Sequence, residues 1–367
     1  MPGRLRQPGS AERCSDVIRS GRKIGTMAGR AGISAVLLAT VVACGDSEGG
    51  GETTAGNDEA GNPFEGESID FVVPYDPGGG YDTYARLIAP YLGDCLGARV
   101  TVLNEPGAGG ILATNQTASS PADGTRIQIL DMIGVSAAQI AGSEGVNFDL
   151  GEFSWIGRIA APPLVVLTDG DGDMTSFQGL ADASEAQFVA TGLGGSEYIA
   201  AAVLSQAYEI PSTIATGFPG SPDATNTVIA GDADAHVMPY DSVLRFFESG
   251  DGAPAAVLSD ELPQYMPEAP LIGEFEPQSE NGQELVDQLI TLADTGRAVG
   301  APPGVPEDRL AALRDGFACA MENEELVAEF DTQERPVDFL GGEEYAQLVD
   351  EVLDPTAEFR TVVEESF

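Results

Sequence analysis

The chain has 367 residues, with 59 Asp and Glu against 17 Lys and Arg, and a formal charge of −42. That length is enough for about two domains with cores of their own, and a 43% hydrophobic content excludes wholesale disorder. So acidic a chain repels phosphate backbones and anionic membrane surfaces, so nucleic acid is not an expected partner. The single histidine, His236, excludes His-rich metal sites and mechanisms that need two imidazoles.

Six of the first 23 residues are Arg or Lys, and Met27 offers a second start. Gly32 to Ala43 is an apolar run too short to span a bilayer. It ends in Val41-Val42-Ala43-Cys44, the small-residue pattern that precedes a lipid-modified cysteine, so residues 1–43 read as a lipoprotein signal peptide and Cys44 as the lipidation site. Residues 44–67 are rich in Gly, Glu and Asp with almost nothing apolar, and read as a flexible tether. The expected location is extracytoplasmic, with the membrane touched only through the lipid anchor. Cutting at Cys44 leaves 57 acidic and 10 basic residues, every basic one an arginine. Cys95 and Cys319 then remain as an even pair, predicting a disulfide between distant parts of the chain; two separate buried thiols are the alternative.

The remainder alternates strand-like and helix-like segments, which predicts an α/β protein. Ile69 to Tyr75 reads as a strand, Pro77 to Gly80 breaks it, and a helix follows with Tyr84, Leu87, Ile88, Tyr91 and Leu92 at helical spacing, capped by Asp82 or Thr83. Val100 to Leu103 is a strand, Asn104 to Gly110 a glycine-rich loop, and a helix begins at Ile111. Strands are expected at Arg126–Leu130, Val165–Leu167, Phe188–Ala190, Ala235–Pro239 and Ala255–Leu258. Thr191 to Ser196 opens a helix, Ser221 caps another with Pro222 behind it, and Ser242 caps a third. Pro-rich irregular chain fills much of 262–280. A returning strand at Ala298–Ala301 leads into a helix from Pro306 and further helices to the end. With Cys319 on a late helix and Cys95 ending the first, a disulfide folds the C-terminal segment back on the first domain. The reading is two lobes with a hinge and a cleft: 68–163 plus 297–367 as the first, 164–296 as the second.

Three loops follow a strand, carry glycines and start a helix. Such loops hold anions with backbone N–H groups and need no lysine. Nucleotide fingerprints fail: Leu112 and Glu197 stand where a dinucleotide loop needs Gly or Ala, and the only lysine, Lys23, lies in the leader. No GxSxG elbow is present. His236 sits within a strand-like run and reads as structural, and Asp169-Gly-Asp171-Gly-Asp173 lacks the glutamate that would complete a calcium loop. No catalytic residue, metal or cofactor is expected.

The run Val72-Val73-Pro74-Tyr75-Asp76-Pro77-Gly78-Gly79-Gly80-Tyr81-Asp82 with Ala85-Arg86-Leu87, and the run Asn104-Glu105-Pro106-Gly107-Ala108-Gly109-Gly110 followed by Pro121-Ala122-Asp123-Gly124-Thr125, resemble the two opening motifs of the tripartite tricarboxylate transporter substrate-binding proteins, the Bug family. Ala161 to Val166, Gly194-Gly195-Ser196, Gly231 to Asp234 and Ala301 to Pro306 fit in order, so the resemblance covers 69–367. Glu105 stands where a basic residue is common, and 216–220 lacks a Pro-Tyr-Lys core. The resemblance implies a periplasmic-binding-protein-like clamshell, monomeric, that closes on a small organic acid and delivers it to two membrane subunits of a transporter. It implies ligand contacts from Tyr75, Gly78, Gly79, Gly80, Asp82, Thr83, Gly107, Ala108, Gly109 and Gly110 in the first lobe. In the second lobe it implies Thr191, Gly194, Gly195, Ser196, Gly217, Phe218, Gly220, Asp241 and Ser242; Asp241 takes a ligand ammonium or hydroxyl, or caps a helix. A receptor presenting its ligand to a sensor kinase, and a secreted hydrolase with paired carboxylates, are the alternatives.

Overall fold

The computed structural model describes residues 62–172, 174–193, 195–266 and 268–367. The leader, Cys44 and most of the tether lie outside the described residues, as does Gly194. The end of the tether departs from expectation. Phe64 is fully buried, with the Arg309 guanidinium 4.2 Å above its ring, and Arg309 pairs with Glu67. One aromatic side chain is enough to fasten 62–67 to the lobe that follows.

In chain order, β1 (Ser68–Val73) buries Ile69, Phe71, Val72 and Val73. Helix α1 (Gly80–Leu96) buries Tyr84, Ala85, Ile88, Leu92 and Leu96 as a stripe and stops at Gly97, whose φ of +59° suits a helix C-terminus. Then come β2 (Arg99–Asn104), α2 (Ile111–Ala118), β3 (Arg126–Asp131), α3 (Met132–Ile140) and β4 (Ser154–Ala160). The next segment supplies β5 (Leu164–Asp169), α4 (Phe177–Ala181), β6 (Ala186–Val189), α5 (Ser196–Ala207), β7 (Ser212–Ala215), α6 (Ser221–Ile229) and β8 (Ala235–Pro239). After it run α7 (Leu244–Ser249), β9 (Gly252–Leu258) and α8 (Gly282–Ala293). The chain closes with β10 (Arg297–Ala301), α9 (Glu307–Met321), α10 (Glu324–Thr332), β11 (Leu340–Gly341), α11 (Gly342–Val352) and α12 (Ala357–Ser366).

Two mixed sheets result, one per lobe of a clamshell. The first has the order β11-β4-β10-β3-β1-β2, parallel across β3-β1-β2 and antiparallel around β10. The second has the order β7-β6-β8-β5-β9, with β5 antiparallel to both neighbours. Strand β4 passes to β5 through residues 161–163, and α8 returns to β10 through 294–296. These two crossings form the hinge.

Several elements escaped the sequence reading. Strand β4 is interrupted by Gly157 and Arg158, yet a Cβ at Gly157 would lie 2.9 Å from the Leu340 carbonyl, so β11 can pair only with a glycine there. Helix α3 is buried on nearly all sides and shows no amphipathic period. Caps differ too. Gly79 is the N-cap of α1 and Gly220 that of α6, while Ser242 precedes α7, whose N-cap is Val243. Asp82, Ser221 and Ser242 are engaged elsewhere, as described below.

Cys95 and Cys319 are disulfide-bonded, joining α1 to α9 across 224 residues of sequence. A crosslink closing so long a loop contributes ~2–5 kcal/mol by restricting the unfolded chain. Helices α9 and α10 pack on α1, and α11 on β4, as a returning C-terminal segment requires. The last helix does not follow. Phe359 and Val363 of α12 join a core built by α5 and α8 of the second lobe together with α3, so the segment 297–367, expected to belong to the first lobe, ends packed against both.

Gly296, at the second crossing, has φ +59°, and a Cβ there would clash with the carbonyl oxygen of Ala160, the last residue of β4 before the first crossing. The hinge strands approach this closely only because that position lacks a side chain. Gly296→Ala is expected to lower stability by about 1–3 kcal/mol from the backbone conformation alone, with the clash adding to it. Urea unfolding of the two proteins measures it, and equal midpoints would show that the crossing tolerates a side chain.

Candidate binding site between the lobes

The loops after β1, β2 and β3 face those after β6, β7 and β8. The two sets touch. The Asp76 N–H donates to the Pro219 carbonyl at 3.4 Å, and a Cβ on Gly192 would come within 2.7 Å of the Gly109 nitrogen. The clamshell is closed.

Two cavities lie along this seam. One, of about 200 Å³, is lined by Tyr75, Pro106, Gly107, Ala108 and Gly109 from the first lobe and Thr191, Gly217, Phe218 and Pro219 from the second. The other, of about 130 Å³, is lined among others by Gly78, Gly79, Gly80, Ser221, Asp241, Ser242, Arg245, Glu248 and Arg335. The expected ligand contacts therefore fall into two groups. Asp82, Thr83, Gly110, Gly195, Ser196 and Gly220 line neither cavity.

Those six hold the loops in shape. Asp82 accepts from the Gly78 N–H at 2.9 Å, from Asn104 at 2.9 Å and from Arg86, so its carboxylate occupies one of the loop's own anion donors. Burial pushes this carboxyl up, but Arg86, Asn104 and the Gly78 N–H outweigh it and hold it below its ordinary value. Thr83 donates to the Gly79 carbonyl, and Gly195 and Gly220 are the N-caps of α5 and α6. In the second loop Gly107, Ala108, Gly109 and Gly110 have φ of 150°, 48°, 62° and 99°. This tight turn leaves the N–H groups of Ala108 and Gly109 without an acceptor among the described residues. Glu105, where a basic residue was expected, makes a two-pronged pair with Arg126 at 2.6 and 3.1 Å and braces this loop from behind.

Behind the larger cavity lie two buried carboxylates that the sequence reading passed over. Asp131, at the end of β3, accepts from the Tyr75 hydroxyl at 2.6 Å and from the Ser196 N–H at 3.0 Å, through Oδ2 in both cases. Its Oδ1 is buried with no partner. Glu197, in the first turn of α5, accepts from Thr191 at 2.9 Å and Ser221 at 3.0 Å and lies 3.8 Å from Nε2 of His236, whose Nδ1 meets Thr225. Fully buried on β8, His236 supports Glu197 from within the second lobe. A charged residue closing a mostly apolar strand, Ile127-Gln128-Ile129-Leu130-Asp131, was the available signal for the first carboxylate.

Asp241 is neither free for a ligand ammonium nor a helix cap. It lies between two first-lobe arginines, Arg297 at 3.0 Å and Arg335 at 3.1 Å. Arg297 is 1% exposed, sits 5.0 and 4.9 Å from the ring centroids of Tyr81 and Tyr84, and also donates to Ser242. Burial opposes its charge, but Asp241 and the tyrosines more than offset this and hold its pKa above the ordinary value. Replacing Asp241 by Asn would leave a buried guanidinium short of its counter-charge.

Burial raises the Asp131 carboxyl, and the neighbouring Glu197 carboxylate adds to it against the hydrogen bonds from Tyr75 and Ser196. For Glu197, burial acts upwards but His236, Thr191 and Ser221 prevail and lower it. A raised folded-state carboxyl binds a proton that the unfolded chain releases, so its contribution to stability falls as pH rises through that window. Wild type should therefore gain stability relative to Asp131→Asn as pH is lowered from neutral towards the ordinary carboxylate range. Denaturant unfolding across pH checks this, and parallel profiles would exclude it.

The model of the family described as tripartite tricarboxylate transporter family receptor matches residues 84–357. Protein BugT of Bordetella pertussis is 26% identical over 282 residues, covering 74% of this chain and 81% of the relative. Among solved structures, MatC of Rhodopseudomonas palustris with bound malate superposes with a TM-score of 0.68 at 20% identity, covering 81% of this chain and 99% of that one. A second R. palustris protein, with adipate, gives 0.67 at 19%, covering 82% and 97%. With two sheets joined by a double crossing and a seam of glycine loops between them, the chain belongs to the tripartite tricarboxylate transporter receptor family and is a receptor, not an enzyme.

Proposed function

We propose that this chain is an extracytoplasmic receptor that closes its two lobes on a small organic carboxylate and hands it, as a monomer, to the membrane subunits of a tripartite transporter. The observation that carries this reading is the larger seam cavity: a loop with two unpaired N–H groups from one lobe faces Thr191 and the Gly217-Phe218 segment of the other. Backbone donors suit a carboxylate in a chain this acidic, because they bring no competing counter-ion. The malate and adipate bound by the two similar structures are acids of the size such a cleft takes.

The test is thermal unfolding against a panel of organic acids. A ligand at 100 times its Kd adds about 2.7 kcal/mol through linkage, a plain rise in Tm. Gly109→Val puts a branched side chain at φ +62° and should abolish that rise while far-ultraviolet dichroism stays native. A panel that leaves Tm unmoved would overturn the reading.

Anchoring is a separate part of the proposal. Cys44 follows an apolar run and precedes an acidic stretch, the arrangement from which a diacylglycerol-modified cysteine holds a protein at the membrane. Cys44→Ser should move the protein from the membrane to the soluble fraction, as cell fractionation will read; an unchanged distribution would exclude the anchor.

A further inference from the structure

The side-chain hydroxyls that line the larger cavity have both given their protons away. Tyr75 donates to Asp131 at 2.6 Å, with the Gly109 carbonyl as a second acceptor at 3.4 Å. Thr191, on the opposite lobe, donates to Glu197 at 2.9 Å. A hydroxyl has one proton and two lone pairs, so each can offer a ligand only an acceptor. The acceptors behind them are 1% and 3% exposed, and Asp131 has a further oxygen buried without a partner. Among the described residues, no basic one lines this cavity. Its polar character is thus divided: N–H donors at Ala108 and Gly109, lone pairs at Tyr75 and Thr191. Because Oδ2 of Asp131 receives both Tyr75 and Ser196, a proton on Oδ1 would leave the direction of the Tyr75 hydroxyl as it is.

We infer that Tyr75 and Thr191, each turned by a buried carboxylate, make the site select acids that carry a hydrogen-bond donor, an ammonium or hydroxyl group, beside the carboxylate. This rests on the carboxylate reading above and narrows it. A plain di- or tricarboxylate would bring acceptors to a wall of acceptors, and an unmatched polar contact in a closed cleft is costly. An amino or hydroxy acid matches both walls at once.

Matched acids on one skeleton test it. Calorimetric titration of the full-length protein would compare succinate with malate and aspartate, glutarate with 2-hydroxyglutarate and glutamate, and propionate with lactate and alanine. Within a binding set, the amino or hydroxy acid should be at least about tenfold tighter than the plain acid, the scale of one hydrogen bond to a charged group. Tyr75→Phe and Thr191→Val remove the lone pairs and should each shrink that ratio towards one; dichroism confirms that the variants fold. A plain acid that binds as tightly as its donor-bearing analogues overturns the inference alone, and so does a ratio that survives both substitutions. If no acid of any set binds the folded wild type, the carboxylate reading itself fails.

Discussion

One buried contact spans the seam: the Asp131 carboxylate, at the end of a central strand of the first sheet, receives the Ser196 N–H at the start of α5 in the second lobe. A helix N-terminus presents unsatisfied donors and a partial positive charge, so the first lobe supplies its own anion to the second. That ties the start of α5 to the end of β3 and brings Glu197 into the field of Asp131, and the same carboxylate fixes which way the Tyr75 hydroxyl points. Much of the site's chemistry is set by this carboxylate, although it does not line the cavity.

The second tie across the seam is Arg297–Asp241–Arg335. Two cations from the first lobe share one anion from the second, and the central pair is dry. Buried pairs of this kind add little net stability compared with an apolar contact of equal volume, because desolvation consumes the attraction. Their effect is on geometry: opening the lobes would part charges already stripped of water. Both ties join the same two bodies, one through backbone polarity and the other through ion pairing, and they flank the two cavities.

Local signals were easy to read. Strands such as Ile69–Tyr75, and glycine loops that end in helices, announce themselves within ten residues because turn chemistry and apolar periodicity are short-range properties. Cysteine parity foretold the bond between Cys95 and Cys319 for a similar reason: only two cysteines were left to pair. What escaped depends on partners far along the chain. Asp131 looks like any polar strand end until Ser196, 65 residues later, arrives beside it. Asp241 reads as a cap or a ligand contact unless Arg297 and Arg335 are known to close on it. Helix α3 hides because it is buried on nearly every side, and Gly157 disguises β4 because the reason for a glycine there lies in β11. The residues 78–80 and 107–109 were singled out together, yet the fold sends them to different cavities, a division no linear pattern encodes.

The path of α12 has a mechanical consequence. Phe64 is sealed into the first lobe, and the chain leaves with Phe359 and Val363 packed among α5 and α8 of the second lobe and α3 of the first. The last helix thus lies across both jaws, with the Arg360 guanidinium donating to the Ile140 carbonyl of α3 while Tyr198 of α5 sits beside Phe367. Any opening that parts α5 from α3 must therefore also shift α12 against one of them, which makes the C-terminal helix a brake on the gape.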